Sequence, residues 1–144
     1  MSLPSGRRLA IDYGQVRSGI ALSDINGLIA TPLETILSST LLDRLLEIGS
    51  EYEISAIYLG LPAHLSGAEG ESARLVREMA RKIADIKVAP VYLVDERLST
   101  KSAFQAKELV ERFGVDAVAA AEILELSLSG ERNSGKRFGE AMNE

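Results

Sequence analysis

The residues best equipped for chemistry in this chain are carboxylates that close apolar segments. Asp12 ends the run Leu9-Ala10-Ile11-Asp12 and is followed by Tyr13-Gly14. Burial there disfavours its charge unless a cation or hydrogen bonds compensate. Asp95 and Glu96 close a second apolar run, Val91 to Val94, and Asp116 opens an alanine-rich one. Each has a plainer explanation. Asp12 can be a turn residue bonding its own backbone, Glu96 an exposed ion pair with Arg97 of little energetic value, and Asp116 a helix cap. Together they are the parts that two-metal phosphodiester hydrolysis needs, carboxylates from separate elements holding ions about 3.5–4 Å apart. Strand side chains alternate between faces, so only one of Asp95 and Glu96 can share a face with Asp12, and the pattern alone does not choose. The chain has no cysteine and one histidine, His64. Thiolate and multi-histidine sites are therefore excluded, which leaves carboxylates and hard cations such as Mg2+ or Mn2+.

The loop Gly60-Leu61-Pro62-Ala63-His64-Leu65-Ser66-Gly67 is the second candidate. Its glycines allow close backbone approach to a ligand, and the helix that follows can attract phosphate at its N-terminus. His64, Ser66 and Ser72 can add hydrogen bonds, and the planar guanidinium of Arg97 suits a phosphate. The plainer reading is an ordinary strand-to-helix connection.

These residues must be held by a small scaffold. The chain has 144 residues, 46% of them hydrophobic, enough for one domain with a real core. No apolar stretch approaches the roughly 20 residues that span a bilayer, and the start, with Arg7-Arg8 before three apolar residues, does not read as a signal peptide. The cytoplasm is the expected location. The net charge of −5 means that a nucleic-acid enzyme of this composition must concentrate its positive charge locally.

The hydrophobic period places the elements. Leu9–Asp12 and Ser18–Ser23 read as strands of an antiparallel hairpin joined by Gly14–Arg17. Leu28–Ile36 is extended, with Pro32 suggesting a sheet edge. Thr40 with Asp43 resembles a capping box before a helix carrying Leu41, Leu42, Leu45 and Leu46. Ile54–Leu61 reads as a buried parallel strand, Leu75–Ile83 as an amphipathic helix, and Val91–Val94 as another buried strand. A helix capped by Ser99 or Thr100 should run to Phe113 and close at Gly114. The last helix begins near Asp116 with Ala117, Ala120, Ala121, Leu124 and Leu128 on one face. The order β-β-β-α-β-α-β-α-α predicts an α/β fold, a mixed five-stranded sheet of three antiparallel strands and then parallel crossovers, with helices on both faces. Residues 1–129 would form the domain and 130–144, polar and glycine-rich, a mobile tail. Sites in such sheets lie beyond the carboxyl ends of the strands, where Asp12, Gly60-Leu61-Pro62 and Asp95-Glu96 fall.

Four segments in order, DYGQVRSGIA, GLPAHLSGAEGESA, DERLST and VDAVAAAEILELSL, resemble the Holliday-junction-resolvase-like YqgF/RuvX family, also described as pre-16S ribosomal RNA nucleases. The resemblance implies a ribonuclease-H-like fold, Mg2+ or Mn2+, and a nucleic-acid substrate, either precursor 16S ribosomal RNA cut at its 5′ end or branched DNA. It implies Asp12, Glu96 and Asp116 as catalytic metal ligands with Asp95 in reserve, and Gly14, Arg17, His64, Ser66 and Arg97 as phosphate contacts. His64 and Ser66 stand where the family usually carries Asn and Asp. Two other readings compete: a nucleotide-binding domain of the actin and sugar-kinase type, whose hairpin also begins Asp-x-Gly, and a non-catalytic ribosome-assembly factor. Membrane partners are not expected; the chain would act as a monomer or homodimer.

Overall fold

The computed structural model describes residues 3–62, 70–96 and 103–142, with side chains from 107 onward in the last stretch. Strands β1 (Arg7–Tyr13) and β2 (Arg17–Ser23) form the expected antiparallel hairpin, and β3 (Ala30–Leu37) pairs antiparallel outside β2. Pro32 sits on that edge strand, opposite Ala21 at a register shift, where its missing N–H removes no ladder bond. The chain continues through α1 (Leu41–Glu51), β4 (Ile54–Leu61) parallel to β1, α2 (Glu71–Asp85) and β5 (Val91–Asp95) parallel to β4. Helices α3 (Ala103–Phe113) and α4 (Val115–Ser134) are separated by Gly114 alone, at φ +92°.

Alternation along the strands divides the core in two. One face of the sheet presents Leu9, Ile11, Ile20, Leu59 and Leu93 to Leu41, Leu45 and Ile48 of α1 and to Val76, Ala80 and Ile83 of α2. The other presents Ala10, Ala21, Ala56, Tyr58 and Val94 to Ala120, Ile123, Leu124 and Leu128 of α4. Small residues on both partners of this second face let α4 lie close to the sheet. At one end of α4 a buried ionic cluster fixes it: Glu131 accepts from Arg8 Nε and Arg137, both at 2.9 Å, and from the Tyr58 hydroxyl. Arg8 also donates to the Gly6 carbonyl at 2.8 Å, so neither buried charge lacks partners.

Two expectations change. The Thr40–Asp43 capping box is not made, because Thr40 is not extended; its hydroxyl donates instead to the Leu37 carbonyl at 2.7 Å, closing a 3-10 turn before α1. Regular structure does not stop at residue 129 either. Helix α4 continues through Gly130 to Ser134, and Glu140–Ala141 forms β6 beside β5, giving six strands among the described residues, in the order β3-β2-β1-β4-β5-β6, rather than five. Gly130 is a seat rather than a helix stop: a Cβ there would stand 2.1 Å from the Phe138 ring, which packs onto the helix in its place. The Met142 N–H donating to the Val91 carbonyl at 2.8 Å extends the pairing beyond β6. Among the described residues no helix is long and apolar enough to cross a membrane.

Candidate active site

Asp12 is the penultimate residue of β1, half-buried, and shares its face with Arg8 and Ala10, the face that α4 covers. Directly across the ladder from Asp12 is Gly19 of β2, and across from Gly19 is Thr35 of β3. The three form one row running from the sheet interior to its edge. A Cβ on Gly19 would stand 1.9 Å from the Asp116 carbonyl oxygen, so the first turn of α4 rests its backbone on that glycine. Asp116 is thereby held over the residue that neighbours Asp12, at the positive end of the helix dipole.

Glu96 follows β5 directly. By alternation Val94 and Glu96 face α4, while Leu93 and Asp95 face α1 and α2. The glycine at position 60 of β4 makes room for it: a Cβ there would lie 2.6 Å from Glu96 Oε1 and 2.6 Å from Ile123 Cδ1. Of the two acidic neighbours, Glu96 is therefore the one on the Asp12 side of the sheet. Asp12, Asp95 and Glu96 each already take part in a polar or electrostatic contact. Among the described residues no three carboxylate or imidazole groups close into a ready-made metal cluster. What the fold brings together is one face and one end of the sheet for Asp12, Glu96 and Asp116, with Asp95 on the opposite face.

The β1–β2 link at the same end is tightly specified. A Cβ on Gly14 would stand 2.5 Å from the Arg17 carbonyl oxygen, so only glycine fits the turn. Beneath it, Ser38 Oγ donates to the Gly14 carbonyl at 2.6 Å, and Ser18 Oγ lies 2.6 Å from Ser38 Oγ. Ser38 has one hydroxyl proton, already committed, so Ser18 is the donor of that pair. The Ser38 N–H closes the arrangement onto the Val16 carbonyl at 2.8 Å. Arg17, the first residue of β2, is exposed at the end of the link these bonds hold. Beside it, on the α2 side, a cleft of about 500 Å³ is lined by Tyr13, Gly14, Pro62, Glu71, Ser72 and Val76. His64, Ser66, Arg97 and the cap at Ser99 or Thr100 lie outside the described residues.

A family model described as RuvX, Holliday junction resolvase, matches residues 6–130. The chain belongs to that family. Its relatives include proteins named "Putative pre-16S rRNA nuclease" in several bacteria. The one from Streptomyces avermitilis is 40% identical over 152 residues, covering 99% of this chain and 97% of that protein. That from Clavibacter michiganensis is 41% identical over 144 residues, covering 93% and 89%, and that from Rickettsia peacockii 38% over 143, covering 91% of each. Among solved structures, Thermus thermophilus RuvC in complex with a Holliday junction substrate superposes with a TM-score of 0.64 at 14% identity, over 94% of this chain and 99% of that one. At that identity the likeness is one of fold, and the fold is ribonuclease-H-like, as the sequence resemblance implies.

In this RuvX-family chain Thr35, Ser18 and Ser38 received no role from the sequence, and the packing of Gly19 against Asp116 and of Gly60 against Glu96 comes only from the structure.

Proposed function

We propose that this chain is a divalent-metal-dependent endonuclease that hydrolyses phosphodiester bonds in nucleic acid, and that it processes the 5′ end of precursor 16S ribosomal RNA in the cytoplasm. The observation that carries the reading is the shared face: Asp12, Glu96 and the Asp116 turn of α4 belong to one side of the sheet at the carboxyl ends of β1 and β5. The family and the names of its relatives supply the reaction and the substrate class.

The donor set fits a hard cation: the candidates are carboxylates, and the chain holds no thiol that would favour a softer metal. Asp12, Glu96 and Asp116 would hold Mg2+ or Mn2+, with Asp95 in reserve. When bound, such ions activate water and stabilise the leaving oxygen of a phosphodiester. The protein's own share is positional. Gly60 and Ile123 confine the Glu96 carboxylate, Gly19 sets the height of Asp116, and β1 holds Asp12 between them. Arg17, Arg97, His64, Ser66 and the Gly14 backbone would bind flanking phosphates, Arg17 from the start of β2 beside a link tied down by Ser38.

The test is a cleavage panel on precursor 16S ribosomal RNA and on four-way branched DNA, with Mg2+ or Mn2+, using the wild-type chain and Asp12→Asn. Cleavage of the RNA at its 5′ end that Asp12→Asn abolishes supports the reading. Cleavage confined to branched DNA would move the substrate to DNA. No cleavage of either, with cells indifferent to Asp12→Asn, would leave a non-catalytic assembly role.

A further inference from the structure

We infer that Thr35, which no motif singles out, is a positioning residue that sets where Asp116 stands relative to Asp12. The inference rests on the reading of Asp116 as a metal ligand and extends it to the residue that places it. The first-turn N–H groups of a helix need partners, commonly the side chain of the N-cap residue. The N-cap of α4 is Gly114, which has none to offer. The partner comes from another element. Thr35 Oγ1 on β3 accepts the Ala117 N–H at 3.2 Å and donates to the Phe113 carbonyl at 2.8 Å. One hydroxyl thus ties the last carbonyl of α3 to the first turn of α4, and Asp116 is the last of the three residues between its two attachments.

The surroundings leave that hydroxyl little freedom. A Cβ on Gly114 would stand 2.5 Å from Thr35 Oγ1, so the elbow between the helices is pressed against it. Thr35 is also in ladder register with Gly19, and Gly19 with Asp12. Strands lie about 4.8 Å apart, so the anchor of α4 is tied laterally to Asp12 by two steps of backbone pairing. Gly19 supports Asp116 from below and Thr35 holds it from the side. A shift of the helix start moves Asp116 relative to Asp12 while β1 stays in place. Outer groups that orient metal ligands typically change metal affinity or activity by about 10- to 100-fold when removed.

The test compares Thr35→Val, which keeps the shape and removes both bonds, with Thr35→Ser, which keeps the hydroxyl. Thr35→Ala serves in the same way should the valine variant not fold. Three quantities are read on the full chain: Mn2+ affinity by calorimetry, the kcat and KM of cleavage, and amide exchange at Ala117 and Leu124 in metal-free protein. The expected result for Thr35→Val is faster exchange at Ala117 but not at Leu124, Mn2+ affinity lower by about tenfold or more, and a lower kcat at similar KM. Thr35→Ser should recover most of each. Unchanged Mn2+ affinity and kcat in a folded Thr35→Val protein would overturn the proposal, as would a serine variant as impaired as the valine one. Asp116→Asn separates the two ways of failing. If it binds Mn2+ and cleaves normally, the reading of Asp116 fails and the proposal with it; if it is impaired while Thr35→Val is not, only the proposal fails.

Discussion

Gly60 and Glu96 compete for one volume: the place a side chain on Gly60 would take is occupied by the Glu96 carboxylate, with Ile123 of α4 closing its other side. Gly60→Ala must therefore displace the carboxylate or lift α4. Overpacking of this kind costs about 1–3 kcal/mol, measurable by urea denaturation, and cleavage should fall more steeply than stability. A fully active alanine variant would show that the seat of Glu96 is unimportant.

The two acidic neighbours should behave differently. Glu96 faces α4 with Asp12, and Asp95 faces the α1–α2 side. Glu96→Gln is expected to abolish detectable cleavage in a folded protein, while Asp95→Asn stays within about tenfold of wild type, as for a group outside the ligand set. The reverse order in the same assay would move the site to the other face of the sheet.

Tyr58 predicts the alkaline limb of stability. Burial holds its phenol well above the usual tyrosine pKa, and donation to Glu131 adds to the shift. The unfolded chain titrates near 10. The contribution is thus complete below about pH 10 and is lost as pH rises from there toward the higher folded-state value. Tyr58→Phe should cost about 1–3 kcal/mol at neutral pH, since Glu131 and the Phe138 N–H each lose a partner. It should also flatten the fall in melting temperature above pH 10.

Asp24 sets a smaller effect in acid. Its carboxylate accepts the Ile29 N–H at 2.9 Å and the Leu28 N–H at 2.8 Å; the bond from Ile29 is the largest influence, and with the one from Leu28 it holds the pKa below the usual 3.8 against the opposing effect of burial. The contribution is present above the unfolded-state value and is lost as pH falls through the lower folded one. Asp24→Asn keeps an acceptor and removes the charge, so the stability profile below about pH 4 should become shallower while neutral stability changes little.

The order of elements was legible because apolar period separates strands from helices so cleanly here, from the Ile54–Leu61 run to the stripe of α4. Pro32 marked the sheet edge correctly because a missing N–H is a local property. β6 was not legible: Glu140–Ala141 is two exposed residues with no period, and it pairs only because Phe138 and Arg137 dock the preceding chain onto α4. Alternation showed that Asp95 and Glu96 part company, but the choice between them needed the position of α4, which is tertiary information. Thr35 was illegible for the same reason. Its partners are 78 and 82 residues away in sequence, and nothing local distinguishes a hydroxyl that caps a distant helix from one that faces water.

The packing of α4 also has a consequence in time. The face formed by Ala10, Ala21, Ala56, Tyr58 and Val94 is covered by residues 120–128, which leave the ribosome only after every parallel and antiparallel strand from β1 to β5 has been made. A nascent chain thus carries Asp12 and Glu96 on an open greasy surface, and Asp116 arrives with the helix that covers it. Closure of the second core layer and delivery of Asp116, the last of the three proposed ligands, are a single late, non-local step. Chains interrupted before that step can present neither a finished core nor all three proposed ligands.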